Sequence, residues 1–356
     1  MLYRESCFIT GFPGFIAGRL IEKLTAPERQ FFLLVQPQFV DRAIEEIEEI
    51  AERTGTPLDS FVLVEGDISL PDLGIPQADL ETIQYETTDV FHLAAAYDLG
   101  VSKDVAFNVN LQGTKNVNDV VCSIKNLRRY NYVSTCYVAG KREGLIHENE
   151  LEHKAGFRNY YEETKYLAEM EVERLKPTMP VTIYRPSVVV GDSETGETAK
   201  YDGIYSLIKY LRKAPSILRL VNVGNDKVRL NLVPVDFVVD SIAALSCDER
   251  ALGKTIAIAD PAPFTTEQLF DLIAKDMTGR KSEFKLPLSV AEWFLNTGIS
   301  PPMTGLPHQS VPYFFISQTY DTAVANELLA PHGIECPRFD RYVGNLLDFV
   351  DEFPDL

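Results

Sequence analysis

Short apolar runs recur along the first half of the chain, each followed by a stretch whose apolar positions fall three and four apart. Ser6-Cys7-Phe8-Ile9-Thr10 stops at Gly11, and Phe15, Leu20, Ile21 and Leu24 then share one helical face. Phe31-Phe32-Leu33-Leu34-Val35 precedes a charged helix over 40–53. Phe61-Val62-Leu63-Val64 ends at Gly66-Asp67, and Asp89-Val90-Phe91-His92-Leu93 runs into alanines. The pattern predicts further helices over 103–124 and 161–175, and strands over 130–134 and 181–184. Strands that do not alternate, separated by helices, are buried on both faces. The predicted fold class is therefore α/β, a doubly wound parallel sheet covered by helices on each side.

After Gly191 the pattern loosens. Helices are predicted over 204–211, 237–246, 266–277, 322–329 and 342–350, with strand pieces over 228–232 and 255–258. The expected organisation is a core over 1–190 with returns near 228–262, and a smaller C-terminal lobe over 191–356 interleaved with them. The stretch 287–316 is rich in proline and aromatics and holds the only tryptophan, Trp293. It reads as a lid or packing segment; a membrane-surface role is disfavoured because the stretch lacks a basic face.

Composition changes this picture mainly by exclusion. The 356 residues are 45% hydrophobic and 24% charged, ordinary for a globular chain. Asp and Glu number 52 against 34 Lys and Arg, a net charge of −18, which repels nucleic acid and anionic lipid at long range. Cys7, Cys122, Cys136, Cys247 and Cys336 are scattered, with no Cys-x-x-Cys pair, so no metal site is expected and reduced cytosolic thiols are. The N-terminus runs directly into a strand and no apolar run approaches a membrane span. The expectation is a cytoplasmic protein with no secretory leader, no integral membrane segment and no nucleic-acid partner. Gly253-Lys254-Thr255 fails as a P-loop end, because the required first glycine falls on Asp248.

The candidate chemistry begins at Thr10-Gly11-Phe12-Pro13-Gly14-Phe15-Ile16-Ala17-Gly18, between the first strand and its helix. Gly11 suits a tight turn, Gly14 admits a pyrophosphate close to the backbone, and Ala17 is small enough for helix–strand packing. Free N–H groups and the helix dipole would face the diphosphate. After the second strand, where an NAD site usually carries an acid, stands Gln36. Arg42 could reach a 2′-phosphate, or be a solvated charge on its helix. This favours NADP over NAD. Asp67, followed by Ile68, could accept from an adenine amino group or cap a turn.

Tyr161-x-x-x-Lys165 puts a phenol and an amine on one helical face. An ammonium beside a phenol stabilises its phenolate, so Tyr161 can exchange a proton with a carbonyl oxygen. The strand before it ends Val133-Ser134-Thr135, with hydroxyls at the edge of the ligand crevice; Thr135 could hold the substrate oxygen, with Ser134 its rival.

In order and spacing, these motifs resemble those of the extended short-chain dehydrogenase/reductases. They are joined by His92-Leu93-Ala94-Ala95, Asn110-x-x-Gly113-Thr114 and Tyr184-Arg185-Pro186-Ser187. The resemblance spans about residues 5–260. It implies a Rossmann-type core with a smaller C-terminal substrate-binding lobe, and bound NAD(P)(H). It implies Tyr161 as acid/base, Lys165 as its electrostatic partner, Thr135 as the oxygen-holder and Asn110 as support for a proton-relay water. Leu93, Ala94 and Ala95 line the cofactor, and Pro186, Ser187 and Val188 lie beside the nicotinamide. Members also pair through the helices over 110–124 and 161–175, so a homodimer is an expectation.

Within that family the chain looks most like the male-sterility branch, with its fatty acyl-CoA reductases and thioester-reductase domains. The supporting stretches are Arg185-Pro186-Ser187-Val188-Val189-Val190-Gly191-Asp192, Lys200-Tyr201-Asp202-Gly203 and Asn231-Leu232-Val233-Pro234. The implied reaction is NADP(H)-dependent reduction of an acyl thioester or aldehyde, small or carrier-bound. One alternative is a nucleotide-sugar epimerase or dehydratase with retained NAD, using Arg212, Lys213, Arg219 and Arg229 for a diphosphate. Another is a non-catalytic NADP-sensing protein on the same fold.

Overall fold

The computed structural model describes residues 3–213, 221–222, 224–282, 284–285, 313 and 316–356. The 287–316 stretch lies outside them, save 313 and 316, as do Arg219 and the side chain of Lys213. In chain order the first half comprises β1 (Glu5–Thr10), α1 (Phe15–Leu24), β2 (Arg29–Val35), α2 (Val40–Thr54), β3 (Phe61–Glu65), α3 (Gln77–Glu86), β4 (Asp89–His92), α4 (Lys103–Ala106), α5 (Gly113–Ser123), β5 (Arg129–Val133), β6 (Gly144–Ile146), α6 (Tyr160–Glu173) and β7 (Val181–Pro186). The second half adds β8 (Val188–Val190), α7 (Ile204–Lys213), β9 (Val221–Asn222), β10 (Leu232–Pro234), α8 (Val235–Ser246), β11 (Thr255–Ile258), α9 (Thr266–Thr278), β12 (Phe284–Lys285), β13 (Gln318–Tyr320), α10 (Ala323–Leu329) and α11 (Phe339–Glu352).

Seven of the described strands form one sheet in the order β3-β2-β1-β4-β5-β7-β11, every pairing parallel. Successive residues of β1 point to opposite faces and both are buried, as the unbroken apolar run requires. Ile9 joins Leu20 and Ile21 of α1, Ile47 of α2 and Ile242 of α8. Phe8 joins Val117 and Val121 of α5, Ala168 and Val172 of α6, and Leu80 of α3. This is the Rossmann-type doubly wound sheet. A third apolar cluster, with Ile208 of α7, Phe270 and Ile273 of α9 and Leu346 of α11, lies apart from the sheet.

Three local expectations are corrected. The helix foreseen over 103–124 is interrupted: Phe107–Gln112 is a π-helical segment between α4 and α5. Such a widened turn re-aims the residues it contains. Asn110 sits in it, fully buried, and is committed to the Ala96 backbone. The strand foreseen from Val228 begins only at Leu232; the Asn231 side chain before it bonds Ser187 and Asp260. The helix foreseen from Phe237 starts at Val235, directly after Pro234, whose extended conformation makes a natural helix entrance.

Candidate active site

The strand order reverses between β1 and β4, and there the carboxyl ends of the strands open a cleft of about 600 Å³. At one end it is lined by backbone. Gly11 has φ +96°, and a Cβ there would lie 2.7 Å from Ala94 N. A Cβ on Gly14 would lie 2.5 Å from the Gly11 carbonyl oxygen. Both positions thus require glycine, the second because the loop folds onto itself at the entrance of α1. This is a cradle a side chain would fill, at a helix N-terminus, and it suits a diphosphate. Ala17 is packed into the core. The close approach of α1 to α2 falls on Gly18, where a Cβ would meet the Glu46 carboxylate.

Of the residues expected to bind the cofactor, Phe12, Pro13, Phe15, Ile16, Gln36, Asp67, Ile68, Leu93, Ala94, Ala95, Pro186, Ser187 and Val188 line this cleft. Three candidates stand back from its wall. Thr10 is fully buried, its Oγ1 2.7 Å from Nδ1 of His92. His92 is held neutral, its pKa pushed down to about 3 by burial and by Lys165. Arg42 is exposed on the first turn of α2. Asn110 accepts from Ala96 N at 2.7 Å and donates to Thr164 Oγ1 at 3.1 Å, so its side chain braces the turn after β4.

The bond pattern around Gln36 was not visible in the sequence. Gln36 Nε2 donates to Asp67 Oδ2 at 2.7 Å, and Asp67 Oδ1 accepts from Ser69 N. Although burial acts against it, these bonds hold the Asp67 carboxyl below its usual range. Asp67 therefore both caps its own turn and faces the cleft. Phe39, in the short turn after β2, also lines the cleft with its ring exposed. An aromatic residue directly after a second strand was the available signal, and periodicity alone does not single it out.

At the other end the wall is made of side chains. Tyr161 and Lys165 are buried on α6, and both line the cleft with Thr135, at the end of β5. Asn159 caps α6, its Oδ1 accepting from Glu162 N, which fixes the helix start one residue before Tyr160. Tyr137 N donates to Thr135 Oγ1 at 3.2 Å, and the Thr135 hydroxyl meets that of Tyr161. Ser134, the rival hydroxyl, instead donates to Glu169 beneath the cleft floor.

One expectation is reversed. Burial pushes the Tyr161 phenol well above the usual tyrosine range; the Thr135 hydroxyl pulls it down, and the Lys165 ammonium is not among its causes. That ammonium donates to the Val133 carbonyl at 2.9 Å and to Tyr132 Oη at 3.1 Å. Burial brings Lys165 itself down to about 8, against the pull of Glu169.

Residues from beyond the core complete the mouth. Tyr97 meets Tyr161 edge-on, ring centroids 5.4 Å apart. Lys200 lies 4.7 Å over the Tyr97 ring and pairs with Asp202 at 2.8 Å; both line the cleft. Tyr137 packs against Tyr313, whose hydroxyl donates to buried Glu162 at 2.6 Å. Of the diphosphate donors in the epimerase reading, the two whose side chains are described are engaged elsewhere: Arg229 donates to the Pro263 carbonyl, and Arg212 pairs with Asp351 and donates to the Leu347 carbonyl. Among the described residues no metal-binding cluster occurs, and no helix is long and apolar enough to cross a membrane.

Comparison with known proteins places this geometry. The family described as Male sterility protein matches residues 9–242. The chain is 26% identical to the fatty acyl-CoA reductase wat of Drosophila melanogaster over 288 residues, 70% of this chain and 55% of that protein. It is 25% identical to the chloroplastic fatty acyl-CoA reductase 2 of Arabidopsis thaliana over 340 residues, 74% of this chain and 53% of that one. The chain thus spans about half the length of the curated relatives it matches. Its fold matches the terminal R domain of the myxalamid PKS-NRPS biosynthetic pathway with a TM-score of 0.83, at 22% identity, covering 99% of this chain and 92% of that one.

Proposed function

The chain belongs to the male sterility protein family, within the extended short-chain dehydrogenase/reductases, and from that premise we propose that it is an NADP(H)-dependent reductase of acyl thioesters or aldehydes. The observation that carries this reading is the meeting, in one cleft, of a glycine-built diphosphate cradle with the buried set Thr135, Tyr161 and Lys165. Gly11 and Gly14 would hold the diphosphate, Phe39 and Ile68 would flank the adenine, and Pro186 to Val188 would back the nicotinamide. A bound dihydronicotinamide supplies hydride.

The chain's own residues do the rest. Tyr161, kept protonated by burial, is an acid: as negative charge develops on the carbonyl oxygen it transfers its proton there. Thr135, held in place by the bond its Oγ1 accepts from Tyr137 N, donates a hydrogen bond from its hydroxyl to the same oxygen. Lys165, anchored to the Val133 carbonyl and Tyr132 Oη, brings a buried positive charge to the same cleft. For a thioester the product of this addition is a hemithioacetal. Its collapse breaks the C–S bond, releases a thiol and leaves an aldehyde; a second round on the aldehyde gives an alcohol. The relatives with acyl-CoA reductase names and the resemblance to an R domain support a thioester substrate, carried on coenzyme A or a carrier protein.

NADP is the preferred cofactor on the replacement of the usual acid by Gln36, whose amide donates to Asp67, and on the exposed cation Arg42 on the first turn of α2. The second lobe is proposed to bind the acyl chain. The test is a titration with NADPH and NADH, followed by turnover on acyl-CoA thioesters, aldehydes and sugar nucleotides. Steady NADPH consumption with acyl substrates is expected. Interconversion of a sugar nucleotide with no net consumption of the dinucleotide overturns the reading.

A further inference from the structure

Beneath the cleft floor lies a carboxylate that the proton transfer does not use. Glu169 is completely buried, one helical turn beyond Lys165 on the same face of α6. Its Oε1 accepts from Arg185 Nε at 2.9 Å and Nη2 at 2.5 Å, and its Oε2 accepts from the Ser134 hydroxyl. Arg185 Nη1 donates onward to the carbonyls of Glu148 at 3.2 Å and Glu150 at 3.1 Å. Ser134 directly precedes Thr135, and Arg185 directly precedes Pro186. One side chain therefore joins the end of β5, the end of β7 and the helix that bears Tyr161 and Lys165.

The charges are as telling as the bonds. Lys165 and Arg185 bring two cations into the interior. A buried cation without a counter-ion is strongly disfavoured and sheds its proton if it can; lysine can and arginine cannot. The groups that face Lys165 come from several elements. From β5 come the Tyr132 hydroxyl and the Val133 carbonyl. From β4 comes neutral His92, its ring beside that of Tyr132. Tyr161 and Glu169 share its helix, and Arg185 of β7 lies beyond Glu169. Tyr132 and Tyr161 are both held protonated by burial. Glu169 is the one anion of this set.

We propose that Glu169 is a positioning residue of this site. It holds Thr135 and Pro186 in register with α6 and supplies the counter-charge that keeps Lys165 an ammonium ion. Burial lowers Lys165 to about 8 while Glu169 raises it, so its charge is present below that value and is lost as pH rises through it. Removing Glu169 moves that loss to lower pH. The kinetic part of the proposal rests on the reductase reading above; the titration does not.

The decisive experiment is a pH titration of Lys165 by NMR in the full chain with ¹³C-labelled lysine, its signal identified by disappearance in Lys165→Arg. In Glu169→Gln the midpoint is expected to fall by about one pH unit or more. In the same variant kcat falls and its alkaline limb moves to lower pH, with KM for the acyl substrate unchanged. An unmoved Lys165 midpoint overturns the proposal, whatever the change in stability. Should Glu169→Gln not fold, Glu169→Asp decides. It keeps the charge but draws back from Ser134 and Arg185, so kcat falls while the Lys165 midpoint stays near the wild-type value. A midpoint that drops as in a charge loss, or a rate that holds, overturns it. A wild-type protein that binds no nicotinamide dinucleotide sinks the reductase reading and leaves the titration result standing.

Discussion

At the Gly11 end of the cleft the shape comes from side chains that are absent, whereas at the Tyr161 end it comes from side chains buried together. Gly11 and Gly14 leave no room for a Cβ, and the groups presented to a ligand are backbone amides at the entrance of α1. Tyr161, Lys165, Glu169 and Arg185 instead fill their space, and Glu169 pairs with Arg185 while drawing Lys165 toward its charged form. A backbone site depends on steric fit within a few residues and is insensitive to pH. A side-chain site depends on long-range partners and on burial, so it is tunable and can be altered from a distance.

The strongest way to sharpen this contrast is Tyr161→Phe. It keeps the ring and removes the proton, so kcat is expected to fall by about 10²- to 10⁴-fold while the Kd for NADPH is unchanged. Stopped-flow rates and fluorescence titration check the two halves of that statement. At the opposite end, Gly14→Ala places a Cβ 2.5 Å from the Gly11 oxygen and forces the loop to shift. The expected result is the mirror image: Kd for NADPH rises about tenfold or more, and kcat at saturating cofactor is largely kept. A variant in which kcat fell with Kd intact would erase the division between the two ends. The smallest effect is assigned to Arg42→Ala. Arg42 is exposed, so a loss of about three- to tenfold in NADPH affinity, with NADH affinity unchanged, is expected from calorimetry at low salt. Equal losses for both cofactors would remove Arg42 from the 2′-phosphate.

The nucleotide half was legible because its signals are local. A glycine pattern between a strand and a helix states its own geometry, and every member from Gly11 to Ile16 lines the cleft. The partners Tyr161 and Lys165 were legible by helical spacing. The direction in which Lys165 points was not: its ammonium goes to Val133 and Tyr132, some thirty residues away in the chain. Asn110, expected to support a proton-relay water, lies back from the cleft wall, and the π-helical turn that commits its side chain to Ala96 leaves no mark in an apolar periodicity. Phe39 and Tyr97 were missed because single aromatic residues after a strand carry no pattern at all.

By itself the sequence determined the parallel sheet, the glycine turn at Gly11 and Gly14, and the one-turn spacing of Tyr161 and Lys165 on α6. Those features follow from hydrophobic period, missing Cβ atoms and helical repeat, all settled among near neighbours. Only the tertiary structure decided that the Ser134 hydroxyl turns to Glu169, and how Lys165 keeps its charge. Protonation in a protein interior is governed by burial and by the counter-ions brought in from other elements, and Glu169 and Arg185 acquire that role only once the chain has folded.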